Sequence, residues 1–289
     1  MRQFGSGAIT LDWQGDVAAI STEEDRPRGR APQTAVDRVV FDTEPYFKRS
    51  QWPLQSLVFI APFLLFYEVG VHHYGAPTQI LARSVLLRLL EQVGDLGPYL
   101  AGLTVAAVLL GWHVVRRDPA RLDWRLYLGM GAESVALSVP LLMFAMIWGR
   151  QAAATGLAAL AGGPGAGGAA EPTMLAYMVT SVGAGIYEEL VFRLFVITLL
   201  HFVFVDVIGL RSVHGSAWAI FGAAALFAAY HFGPRNPFGW GKFAFYLLAG
   251  GYLGVLFVLR GFGIVVGVHA FYDIFYAAIQ QGLFTGEPD

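Results

Sequence analysis

The sequence predicts an all-α, polytopic transmembrane bundle of about seven spanning helices plus one interfacial helix. Composition is the first reason: of 289 residues, 56% are hydrophobic and only 14% charged, whereas soluble domains carry roughly 25% charge. Mean hydropathy is correspondingly high, at +0.54. The second reason is length. About 20 apolar residues cross a bilayer, and runs of that size occur near 54–73, 98–115, 128–149, 173–204, 214–232, 243–260 and 262–281. Third, the 35 glycines suit helices that pack closely in lipid, where small residues let backbones approach.

Taken in order, residues 1–50 are polar and include the charged, proline-containing stretch from Glu23 to Arg30, which reads as a mobile tail. Met1–Ser21 contains Asp12 and Asp16 and no continuous apolar stretch, so the first spanning helix is expected to act as its own signal anchor. Residues 51–150 form an N-terminal set of transmembrane helices. Within it, the segment from Thr78 to Gly94 is interrupted by Arg83, Arg88 and Glu91, which favours an interfacial helix over a spanning one. Residues 151–172 are rich in Gly and Ala and read as a flexible loop. A C-terminal core, 173–281, follows. Arg116, Arg117, Arg121 and Arg125 crowd one short loop, which predicts a cytoplasmic face there and a cytoplasmic N-terminus.

Composition also excludes several functions. A net charge of -2 argues against a nucleic-acid partner. With no cysteine, the chain has no disulfide, thiolate metal site or cysteine nucleophile.

Three polar constellations stand out because ionisable groups at membrane depth are costly and usually face a cavity. They are Glu188-Glu189 with Arg193, Phe227 with His231, and His269 with Asp273. Residues four apart on a helix are separated by about 40° and meet. Glu189 and Arg193 are therefore placed to form a buried ion pair. Glu188, about 100° away, is left free to take a proton. His269 and Asp273 are likewise four apart, and an acid beside an imidazole fixes its tautomer. Each constellation also has a plainer reading. The glutamates and Arg193 could be a neutralising cluster for helix packing, His231 an interfacial histidine, and Asn236 a turn residue between two prolines. Tyr272 and Tyr276 read as packing residues. Interfacial position accounts for Glu68, His72, His73 and Glu133, with substrate gating as the alternative for the first three.

The ordered set resembles the signature of the CAAX protease and bacteriocin-processing (CPBP, or Abi) family of intramembrane peptidases: EExxxR, then FxxxH, then HxxxN or HxxxD on successive membrane helices. The resemblance covers about 173–281 and implies a glutamate-dependent endopeptidase with a protein or peptide substrate at the lipid bilayer. It assigns Glu188 as general base, with His231 helping it to activate water. Glu189 and Arg193 become a supporting pair beside Phe227. His269 and Asp273 take the positions that bind the carbonyl oxygen as it becomes an oxyanion. An ionised aspartate cannot donate to an oxyanion, so Asp273 either carries a proton, orients His269 or helps to bind a metal. Aspartate there points to a prokaryotic member in the bacterial inner membrane.

No cofactor is favoured. The alternative is zinc held by Glu188, His231, His269 and Asp273, although the chain lacks His-Glu-x-x-His. A non-catalytic scaffold or a proton-coupled transporter is the competing functional class. The transporter reading expects repeated halves with broken helices, and the polar residues are not mirrored in the N-terminal half.

Overall fold

The computed structural model describes residues 45–74, 81–90, 97–154, 173–233 and 236–281. The tail up to residue 44, Glu91 and most of the Gly/Ala-rich segment lie outside the described residues. The helices are α1 (Tyr46–Arg49), α2 (Pro53–Tyr74), α3 (Leu81–Leu90), α4 (Gly97–Arg116), α5 (Trp124–Ala154), α6 (Met174–Val207), α7 (Ser212–Tyr230), α8 (Trp240–Arg260) and α9 (Phe262–Gln280). Long apolar runs form helices because lipid offers no partner to a bare peptide group. Pro62 in α2 and Pro140 in α5 sit inside such runs, where the surrounding bundle tolerates them.

Six of these helices are long and apolar enough to cross a membrane. The predicted span at 98–115 is α4, whose apolar part, Ala101–Arg116, is shorter. It nevertheless packs antiparallel to α2. Gly102 near its start faces the Glu68 carboxylate near the end of α2. The Arg121 carbonyl beyond its end accepts a hydrogen bond from Gln55 Nε2, near the start of α2, at 2.8 Å.

The central element is α9. Every residue from Phe262 to Ala270 is buried, and 56% of its span lies inside the protein, against 22–33% for the other five. Small residues make this possible. A Cβ at Gly263 would come within 3.0 Å of Ser56 Cα on α2, and one at Gly267 within 2.5 Å of Ser134 Oγ on α5. On the α6 side, a Cβ at Gly185 would meet the Val266 carbonyl at 3.0 Å and the Ala270 nitrogen at 3.1 Å. A single residue, Gly261, joins α8 to α9. Its φ of +84° is the left-handed region that glycine enters without a Cβ penalty, and a Cβ there would stand 2.9 Å from Gln51 Cα.

Residues 45–50, assigned from sequence to the tail, are docked instead. Buried Arg260 is the reason. Its Nη2 donates to Glu133 at 2.7 Å and to Ser50 Oγ at 3.2 Å, its Nη1 donates to the Phe47 carbonyl at 3.2 Å, and its guanidinium covers the Phe47 ring at 4.3 Å. Tyr46 completes the knot by donating to Glu133 at 2.6 Å. Glu133 is therefore no mere interfacial acid: it neutralises Arg260 and anchors α1 through Tyr46. Its partner was invisible in the sequence because 127 residues separate the two.

The α6–α9 contact generates a test. Because the atoms facing Gly185 are backbone, they cannot rotate away from a larger side chain. Gly185→Val is expected to cost about 1–3 kcal/mol, the range for overpacking, and to lower the unfolding temperature in detergent by several degrees.

Candidate active site

The site lies where α6, α7 and α9 meet. Helix α6 begins on a capped turn, with Thr173 Oγ1 accepting from the Ala176 amide at 3.3 Å. It is α-helical to Glu189, then passes into a π-helical stretch, Leu190–Ile197. Such wide turns are frequent at functional sites. Here the change comes directly after the two carboxylates. Nothing in the apolar run Leu190–Ile197 marked it in advance.

Glu189 is fully buried and Arg193 is 1% exposed. One carboxylate oxygen of Glu189 lies 3.0 Å from Arg193 Nε, as the spacing predicts. The other accepts from His269 Nδ1 at 2.7 Å, across to α9. Arg193 is held further by the Gly250 carbonyl on α8 at 3.4 Å and by the Phe227 ring, 4.4 Å from its guanidinium carbon. The sequence showed the first of these contacts and missed the cross-helix bond to His269.

Glu188 is 7% exposed and faces α7. His231 Nε2 lies 4.0 Å from one of its oxygens, beyond a direct hydrogen bond. The tautomer of His231 follows from its other nitrogen. Nδ1 is 2.8 Å from the Phe227 carbonyl, which can only accept, so Nδ1 carries the proton and Nε2 presents a lone pair to Glu188. The ring is clamped by Tyr246, stacked at 4.1 Å and 20°, and by the edge of Phe227 at 4.5 Å.

Asn236 does more than make a turn. Its Nδ2 donates to the His231 carbonyl at 2.7 Å and its Oδ1 accepts from Lys242 at 2.7 Å, so the chain leaving α7 is fastened to α8. The paired backbone of Gly233 and Asn236, bonded both ways at 3.0 Å, closes the same loop.

On α9, His269 Nε2 is 3.5 Å from Asp273 Oδ2. The predicted approach is present, but at a loose distance. Asp273 is the open edge of the site, with 28% of its side chain exposed. His269 thus has a carboxylate at each ring nitrogen, and the tighter is Glu189. Among the described residues, no group of three or more His, Asp or Glu side chains is arranged to hold a metal ion.

The other candidates take structural places. Tyr187 donates to Glu68 at 2.8 Å, and Arg83 lies 3.9 Å from the same carboxylate. Glu68 is thus a tie between α2, α3 and α6, whereas His72 and His73 are exposed. Tyr272 and Tyr276 pack at 6.0 Å. Two residues that sequence reasoning passed over belong to the site's frame. Tyr230 contacts His231 at 5.3 Å between ring centres, and Tyr246 stacks on His231. The one sequence signal for Tyr230 is its place between Phe227 and His231, which an interfacial tyrosine would share.

Residues 170–275 match the family model described as type II CAAX prenyl endopeptidase, Rce1-like. This segment is thus similar to that family. The matched segment holds the whole constellation from Glu188 to Asp273 and bears out the family resemblance carried by the three motifs. With six membrane-length apolar helices among the described residues, the chain is a multi-pass integral membrane protein. No curated protein and no solved structure matches it.

Arg193 gives the test of this arrangement. Arg193→Ala strands the Glu189 carboxylate, and breaking a buried pair typically costs about 3–5 kcal/mol. A loss of that order is expected in unfolding measurements, with Glu189→Gln in the same background recovering part of it.

Proposed function

We propose that the chain is a CAAX-type intramembrane endopeptidase that hydrolyses peptide bonds with water activated by Glu188. The observation that carries this reading is the 4.0 Å gap between Glu188 and His231 Nε2. An ionised carboxylate and a bare imidazole nitrogen are both acceptors, so neither can bond the other. A water about 2.8 Å from each would donate one hydrogen to Glu188 and one to His231. Its oxygen lone pairs would then be turned away from both, toward a carbonyl carbon.

In this mechanism Glu188 takes the proton as the water oxygen attacks, and later returns it to the leaving amine. His231 orients the water but does not become the proton carrier. His269, as an imidazolium whose Nδ1–H is held by Glu189, offers its Nε2–H to the carbonyl oxygen as negative charge develops. The loose 3.5 Å distance to Asp273 leaves that N–H available to an incoming oxygen. Asp273 then limits rotation of the ring or, if protonated, adds a second donor. No metal is required. The substrate is a protein or peptide at the membrane, and the aspartate variant of the last motif supports a place in the bacterial inner membrane.

Glu188→Gln is nearly isosteric and cannot take the proton. Cleavage is expected to fall by at least about 10²-fold, the usual contribution of a general base, while the protein stays folded and inserted. New protein N-termini in cells carrying wild type or Glu188→Gln at equal expression would name substrate and cleavage site together. Identical profiles, with the variant as active as wild type, would overturn the mechanism. Exhaustive chelation is expected to leave cleavage unchanged, and its loss with recovery on added zinc would revive the metal reading.

A further inference from the structure

Contacts between helices decide which loops share an end of the bundle. Arg49 pairs with Asp123 at 3.2 Å, Gln55 Nε2 donates to the Arg121 carbonyl at 2.8 Å, and Gln51 Nε2 donates to the Leu259 carbonyl at 2.9 Å. The start of α2, the α4–α5 loop and the turn from α8 to α9 therefore lie together. This end is basic. Lys48, Arg116, Arg117, Arg121 and Arg125 are exposed there, and the acids beside them, Asp118 and Asp123, pair with Arg116 and Arg49. Lysine and arginine in short loops stay on the cytoplasmic side of a membrane, where anionic headgroups attract them. At the opposite end, Lys242 and Arg83 turn inward to Asn236 and Glu68, and Arg88 and Arg150 stand apart on α3 and α5.

The site is sealed toward the basic end and open away from it. Helix α9 starts at the basic end, and every residue from Phe262 to Ala270 is buried, whereas Phe271–Ala277 are half-buried and Gln280 is exposed. Helix α6 runs alongside α8 toward the basic end, since Arg193 meets Gly250 and Ile197 meets Gly254. Helix α7 runs the other way, with Ile220 at Gly254 and Phe227 at Gly250. Arg193 and Phe227 thus lie on the basic side of Glu189 and His231, and both are buried. On the far side, Asp273 and His231 keep 28% and 22% of their side chains exposed. Beyond His231, Phe238 and Trp240 are exposed at the start of α8, as aromatic residues are where a bundle meets the headgroups.

We infer that the site opens to the non-cytoplasmic side of the membrane. Its substrates are peptide bonds presented from that side, such as those in an extracytoplasmic segment of a membrane protein. The identity of the substrate as a peptide rests on the function proposed above; the direction of opening does not.

The absence of cysteine allows single thiols to report the direction without any turnover. In the full chain, Ala120→Cys marks the basic end and Gly241→Cys, where a Cβ meets open space, marks the other. Asp273→Cys reports the open edge of the site. Tyr276→Cys, about one turn further along α9, reports it again should the first variant fail to fold. Right-side-out spheroplasts of a bacterial host are treated with a membrane-impermeant maleimide, beside sealed inside-out vesicles. The thiols at 241, 273 and 276 are expected to label severalfold faster in spheroplasts, and that at 120 severalfold faster in the inverted vesicles. Any other pattern at 273 and 276, including equal labelling from both sides or none from either, overturns the inference, as does a reversed pattern at 120 and 241.

A peptide spanning an identified cleavage site supplies the second arm. Added outside, it is expected to be cut by spheroplasts and left intact by sealed inverted vesicles. Cutting by the inverted vesicles that is lost in Glu188→Gln would refute the direction and leave the proposed function standing. An active Glu188→Gln would remove the proposed function and leave the labelling to decide the direction.

Discussion

The double pairing of one carboxylate, Glu189 in an ion pair with Arg193 on its own helix and in a hydrogen bond with His269 on α9, is the interaction on which the rest of the site depends. A fully buried carboxylate must be paired or it loses far more than a hydrogen bond is worth. Glu189 therefore dictates where α6 and α9 stand, and it holds the His269 ring through the nitrogen nearer to it. Arg193 is drawn in by the same charge and carries Phe227 with it, since the guanidinium lies on that ring. Phe227 then reaches His231 through its backbone carbonyl and its ring edge. A chain of contacts thus runs from Glu189 through Arg193 and Phe227 to His231.

Close approach of α6 and α9 is what makes that bond geometrically possible. Gly185 lies one turn before Glu189, and Ala270 follows His269 in sequence, so small residues flank the polar contact on both helices. On its other sides α9 is met by Ser56 and Ser134 across Gly263 and Gly267. Dispersion and backbone proximity, not apolar burial, drive such packing where the surroundings are themselves apolar. At the opposite end of α9, Arg260 and Glu133 repeat the logic of a buried pair, here anchoring the start of the bundle rather than serving chemistry. The contrast between the two pairs is instructive. Arg260 spends its donors on Glu133, Ser50 and a carbonyl of α1. Beside Glu189, by contrast, stands a neighbouring carboxylate, Glu188, whose nearest histidine is held 4.0 Å away.

The amino-acid sequence by itself determined the membrane class, the helical segments and the short-range geometry of the site. Apolar runs of bilayer length must satisfy their own backbone groups, which leaves helices as the only local solution here, and residues four apart on a helix meet whatever the fold. Glu189–Arg193 and His269–Asp273 were legible for that reason, as was the freedom of Glu188. Everything that crosses between helices was decided by tertiary structure. That includes the bond from Glu189 to His269, the orientation of His231 toward Glu188, the stacking of Tyr246, the Arg260–Glu133 knot that docks residues 45–50, and the bond from Ala82 to Tyr230. Most join residues dozens to more than a hundred positions apart, and a periodicity of 3.6 carries no information about which faces will be brought together. The π-helical turns after Glu189 belong to the same class, because an apolar run fits a wide helix as readily as a narrow one until its neighbours choose.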